Sequence, residues 1–237
     1  MHCDLALGSV TPVLFVTGIA MQDLLNDTQR RHRGKADAYR LLSACYYEPE
    51  EAFLEEDVFG QLEQALMSSD SKRAADARTL GECFRDASQE DLRLDYTRLF
   101  LGPFHIRSKP YGSVYLDREN VVMGDSTIAA LAIYSEGGFQ VAGAFEEMPD
   151  HVAVELEFLY LLNARLGGSH PDTDERDFLA ALVRRFIATH LGRWITPFSK
   201  AVEEGASTDF YKKLADLTRC FVLDDLREPA TAAGPQP

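Results

Sequence analysis

The chain has 237 residues, 46% apolar and 26% charged, enough length and apolar content to bury a core without disulfide staples. Lys and Arg total 24 against 38 Asp and Glu, a formal net charge of −14. This argues against nucleic-acid binding, since counterion release needs clustered cations; the acidity instead suits a basic partner or serves solubility.

In chain order, Leu5 to Ala20 is mostly apolar. At about 16 residues, with Gly and Pro inside, it is short for a membrane span, and it lacks the basic flank of a secretory signal. Met21 would serve as a start, so residues 1–33 are expected to be an N-terminal extension, disordered or a mis-called start, ahead of an all-helical domain at 34–227. The basic run Arg30-Arg31-His32-Arg33-Gly34-Lys35 is expected to be a solvated segment. Ala36, Tyr39, Leu42 and Tyr46 mark a helix over Lys35–Tyr47 that Pro49 ends. The same periodicity predicts helices over Glu50–Ser69, Ala74–Ala87 and Glu90–Phe100, the last stopped by Gly102-Pro103. Cys45 and Cys83 fall inside these patterns. With Cys3 and Cys220 they form no Cys-x-x-Cys and no zinc spacing, which fits a reducing compartment.

Residues 101–125 are rich in Gly, Pro and Tyr and are expected to be loop, with Val114–Leu116 and Asn120–Met123 as brief strand candidates. Ser126 is expected to cap a helix to about Ser135, broken by Gly137-Gly138. Pro149 suits the first turn of a helix to Leu166. Its apolar residues nearly encircle the axis, the mark of a helix at the centre of a bundle. Helices follow over Asp172–Trp194, Phe198–Glu204 after an interruption at Pro197, and Thr208–Leu226. Residues 228–237 read as a disordered tail. The expected fold is all-α, a single irregular helical bundle of about nine helices.

The phosphate-cradling and dinucleotide glycine motifs and the nucleophile elbow are absent. No His has a Glu three residues before it, which rejects a ferritin-like di-iron site. Glu147, His151 and Glu155 lie at four-residue steps, but Pro149 places the helix start after Glu147, so no metal site is expected there. Residues 141–157 hold Glu146, Glu147, Asp150, Glu155 and Glu157 and no Lys or Arg. Asp150 is explained by the positive end of the helix. Glu155 and Glu157 lie deeper in an apolar helix, where a buried carboxylate needs a partner; Arg98, Arg107, Lys109 and Arg118 are candidates. Tyr96 and Phe100, one turn apart, read either as core packing or as contact surface; Phe104, Tyr111 and Tyr115 lie among loop prolines.

Three pieces combine. Leu99-Phe100-Leu101-Gly102-Pro103 ends a helix, Pro110-Tyr111-Gly112-Ser113-Val114-Tyr115 follows, and Pro149-Asp150-His151 precedes an acidic, apolar helix with Glu155. Their order and separation, within a helical context from about Ala36 to Leu223, resemble the TorD/DmsD/NarJ family of molybdoenzyme maturation chaperones, closest to the TorD/DmsD branch. The resemblance implies a cytoplasmic chaperone, not an enzyme, with no cofactor and no metal. Its partners would be the apo catalytic subunit of a molybdopterin-dependent oxidoreductase and the twin-arginine signal peptide of that subunit, held while cofactor is inserted before export. No nucleic acid and no stable membrane insertion are implied, and the state would be monomer or dimer. Peptide binding would fall to Asp150 and His151 with Glu147 and Glu155. The preceding stretch would supply Leu99, Phe100, Gly102, Pro103, Pro110, Tyr111, Ser113 and Tyr115. Two other readings stand beside it: a small all-α enzyme using His151 with Asp150 or Glu155 as acid–base groups, and a structural assembly subunit.

Overall fold

Apolar residues at three- and four-residue spacing dictate the architecture. A computed structural model describes residues 13–102, 106–117, 122–140, 147–168 and 172–228, with side chains from residue 25. It contains eleven α-helices and, among the described residues, no strand. They are α1 (Val13–Ala44), α2 (Ala52–Glu55), α3 (Val58–Ser68), α4 (Ala74–Asp86), α5 (Gln89–Tyr96), α6 (Gly112–Leu116), α7 (Asp125–Glu136), α8 (Val152–Leu166), α9 (Thr173–Phe186), α10 (Gly192–Gly205) and α11 (Asp209–Arg227). Two π-helical turns, Thr97–Leu101 and Ile187–Leu191, extend α5 and join α9 to α10. The expected all-helical bundle is observed. No described helix is long and apolar enough to cross a membrane.

α8 lies at the centre, as its all-round apolar sequence requires. Val152, Ala153, Leu156, Leu159 and Leu162 are fully buried, and α1 packs along its length. Aromatic rings fasten helices to one another: Phe100 touches Tyr46, Tyr96, Phe198 and Tyr211, and Phe158 of α8 touches Tyr134 and Phe186.

Several elements differ from expectation for identifiable reasons. α1 runs unbroken through residue 33, and the basic run within it is solvated at Arg30, Arg31 and Arg33 yet anchored to the bundle. Arg33 Nε donates to the Gly167 carbonyl at 2.6 Å, His32 Nδ1 meets Asn163 Oδ1 at 2.9 Å, and Lys35 Nζ donates to the buried Asp225 at 2.6 Å. The single helix expected over 50–69 is broken by Asp57, whose φ of 51° is left-handed, a conformation Asp tolerates. Pro197 does not interrupt its helix. It forfeits one backbone bond, but Trp194, Ile195, Phe198 and Val202 are fully buried and hold α10 on the core. The expected loop at 101–125 contains α6, so Val114–Leu116 is helical. The cap of α7 comes from Asp117, which accepts from the Ser126 N–H at 3.2 Å and its hydroxyl at 2.8 Å. Buried Asp95, at the end of α5, accepts from the N–H groups of Ser207 and Thr208 and fixes the start of α11.

Candidate functional site

The Pro-Tyr segment and the Asp-His segment, 40 residues apart in sequence, meet as a single antiparallel bridge between Tyr111 and His151. The Val152 N–H donates to the Pro110 carbonyl at 2.8 Å, and the Gly112 N–H donates to the Asp150 carbonyl at 2.8 Å. The Asp150 carboxylate adds a third tie, accepting from the Ser113 N–H at 2.8 Å. Asp150 therefore caps α6, not α8, whose cap is His151: its Nδ1 accepts from the Ala153 N–H at 3.2 Å. With Nδ1 an acceptor, the ring proton sits on Nε2. Burial pushes the imidazole down to about 4, against a smaller opposing pull from Asp150, so His151 is neutral at pH 7.

Asp150 and Glu155 are fully buried and His151 is 3% exposed, so the surface above them is built by other groups. The His151 ring lies under Tyr47, near-parallel at 6.2 Å and 22°, and edge-on to Tyr111 at 5.4 Å. Burial, and then the charges of Glu147 and Asp150, raise the Tyr111 hydroxyl above its ordinary value. Burial and then the charges of Glu157 and Glu147 push Tyr47 up to about 12; burial with Glu147 and Glu48 does the same to Tyr96. The half-buried rings of Tyr47 and Tyr111 and the buried Tyr96 thus feel three carboxylates, with Glu48 and Glu157 exposed and Glu147 half-buried. Arg93 reaches Glu48 at 3.5 Å from the rim. A planar cation fits such a surface, because a guanidinium stacks on aromatic faces and binds carboxylates bidentately.

The remaining predicted residues divide. Leu99 and Phe100 are core, 0% and 3% exposed; the apolar surface nearby comes from Leu101 and Leu94, 55% and 46% exposed. Gly102 takes a φ of 20° to end the π-turn, and its N–H donates to the Thr97 carbonyl. Pro103, with Phe104 and Glu146, lies outside the described residues. Pro110 and Ser113 are buried as backbone anchors, and Tyr115 stacks on Trp194 at 5.7 Å and 14°. Glu155 pairs with none of Arg98, Arg107 and Lys109, and Arg118 lies outside the described residues. Its Oε1 faces His190 Nδ1 at 3.0 Å, and its Oε2 accepts from the Trp194 indole N–H at 3.1 Å. His151 and Glu155 therefore engage different partners. The described residues hold no group of three or more potential metal ligands.

Sequence reasoning missed Tyr47, Glu48, His190 and Trp194. The first two follow the last turn of α1, where periodicity stops being informative. His190 is a lone His without motif spacing, and Trp194 is the single Trp of the chain, its one sequence-level signal.

A family model described as nitrate reductase delta subunit matches residues 67–200. A protein of Salmonella paratyphi A named Tat proofreading chaperone DmsD is 34% identical over 188 residues, covering 76% of this chain and 83% of its own. A Haemophilus influenzae protein named probable Tat proofreading chaperone DmsD is 28% identical at the same coverage. A Shewanella pealeana protein named chaperone protein TorD is 26% identical over 81% of this chain and 87% of its own.

Proposed function

The chain belongs to the nitrate reductase delta subunit family, which joins the NarJ, TorD and DmsD maturation chaperones, and from that premise we propose that it is a cytoplasmic chaperone. It binds the twin-arginine leader and the apo form of a molybdopterin-dependent oxidoreductase and assists cofactor insertion before export. The observation that carries this reading is the Tyr111–His151 bridge, which sets Tyr111 beside Tyr47 over a neutral buried imidazole, with the charges of Glu157 and Glu147 acting on Tyr47. Leader guanidinium groups stack on the tyrosine faces and pair with the carboxylates. The net charge of −14 steers a basic peptide toward the chain.

The test is calorimetry with a synthetic twin-arginine leader peptide and a control in which both arginines are Gln. The control is expected to bind at least about tenfold more weakly. Tyr111→Ala is expected to weaken binding of the Arg peptide by about 1–2 kcal/mol with little change in melting temperature. Equal affinity for the two peptides would overturn the reading.

A further inference from the structure

Gly112 sits where no side chain fits. A Cβ there would come within 2.9 Å of the Trp194 indole nitrogen, 3.1 Å of Glu155 Oε1 and 3.2 Å of His190 Cε1. Its bare backbone rests on a floor made by three side chains from α8, the second π-turn and α10. Tyr115, three residues on, stacks on the same indole. The Asp150 and Val152 bridge grips the segment from the other side. Tyr111, which contacts His151, immediately precedes the residue on this floor.

The floor is held by a proton. His190 Nε2 lies 3.0 Å from the Ser126 carbonyl, which only accepts, so Nε2 carries a hydrogen. Nδ1 then faces Glu155 Oε1 at 3.0 Å, and one further proton, on either side of that contact, makes it attractive. Without it a nitrogen lone pair faces a buried carboxylate, a costly arrangement. The π-turn Ile187–Leu191 delivers His190 to this place, with the Phe186 ring stacked on it at 5.5 Å.

We propose that Glu155 and His190 are positioning residues: as a close buried charge pair that keeps one proton, and by holding Trp194, they set the seat of the Gly112–Tyr115 backbone and hence the placement of Tyr111 over His151. The proposal rests on the peptide-binding reading of that surface. The groups facing the pair are Asp150 ahead of α8, Tyr134 on α7 and Tyr115 on α6. Burial opposes a charged His190, but Glu155, the Ser126 carbonyl and Asp150 outweigh it and hold the imidazole above its ordinary 6.5. The proton is therefore kept at pH 6.5 and leaves as pH rises through that higher value.

Trp194 is the only Trp, so its emission reports on the floor directly. Emission and calorimetric binding of the twin-arginine peptide are to be followed from pH 6.5 upward in the full chain, in Glu155→Gln and in His190→Ala. Wild type is expected to show an emission change and about a tenfold loss of affinity in one common titration. Glu155→Gln removes the charge that holds His190 above its ordinary value, and both pH dependences are expected to vanish. His190→Ala is expected to lose about tenfold in affinity at every pH. Retention of the alkaline loss in Glu155→Gln, or wild-type affinity in His190→Ala, overturns the proposal; if His190→Ala does not fold, the Glu155→Gln profile decides alone. If no peptide binds at any pH while emission titrates in wild type and not in Glu155→Gln, the peptide reading fails and the positioning of the Gly112 segment stands.

Discussion

At the seam between α1 and α11, Lys35 donates to Asp225 at 2.6 Å and to Glu228 at 2.7 Å, and the Tyr39 hydroxyl donates to the other Asp225 oxygen at 2.7 Å. Under the tyrosine surface, Asp150, Glu155, His190 and Ser113 are buried just as deeply. There, however, Asp150 Oδ1 and Ser113 Oγ have no hydrogen-bond partner among the described residues, and the facing atoms of Glu155 and His190 lack hydrogen-bond alignment. The first network is closed: each Asp225 oxygen has a donor, and its purpose is to fasten two long helices. The second is open and fastens a five-residue helix that cannot hold itself. Fully paired buried networks rigidify a fold, whereas unsatisfied buried groups mark places kept for another purpose. That the open network lies beneath the candidate peptide surface is the physical case for placing function there.

The largest effect that would separate the two regions is expected at the closed seam. Asp225→Ala leaves a buried ammonium with a single, half-exposed partner and is expected to cost about 3 kcal/mol of stability, read as a lower denaturant midpoint. Affinity for the leader peptide, corrected for the folded fraction, is expected to stay at the wild-type value; a specific affinity loss would erase the distinction.

Acid should expose the site region next. His151 has a folded value near 4 against an ordinary 6.5, so between those values the unfolded chain binds a proton that the folded chain refuses. Its contribution is complete above pH 6.5 and is lost as pH falls toward 4, by about 3 kcal/mol in total. His32, also lowered by burial, adds in the same direction. Lys35 behaves oppositely: burial would lower it, but Asp225 and Glu228 hold it above 10.5, so the seam keeps its charge across this window. His151→Asn, which retains a capping acceptor, is expected to flatten the acid limb of a pH–stability profile. An unchanged limb would return His151 to the exposed class.

The smallest expected effect is at Asp150. Replacing it by Ala removes a charge-assisted bond to the Ser113 N–H and is expected to cost about 2 kcal/mol of stability. Unlike Asp225→Ala, it is expected also to weaken leader binding after correction for unfolding, because α6 and Tyr111 lose their anchor. Parallel calorimetry on the two variants decides whether the open network differs from the closed one.

Much of the fold was legible because it is local. The all-round apolar run after Pro149 placed α8 at the centre, and Gly102-Pro103 ended its helix. The Asp-His pair was legible as a candidate, but its burial was not, since composition shows acidity and not depth. Leu99 and Phe100 illustrate the reverse: apolar residues inside a motif turned out to be core, because the π-turn at Thr97–Leu101 rotates them inward and leaves Leu101 outside. Such an inserted residue shifts helical phase without a trace in a 3.6-residue pattern. The turn at Ile187–Leu191, where His190 meets Glu155, is equally silent in sequence.

The amino-acid sequence by itself determined an all-helical bundle around one apolar helix, and it carried the family's two motif stretches. Both follow from short-range spacing, which the chain reports wherever it folds. Only the tertiary structure decided that Pro110 meets Val152, that Glu155 faces His190 and Trp194, and that Lys35 is buried against Asp225. Those pairs join residues between 35 and 190 positions apart, and such closures are chosen by packing of the whole core, not by any local preference.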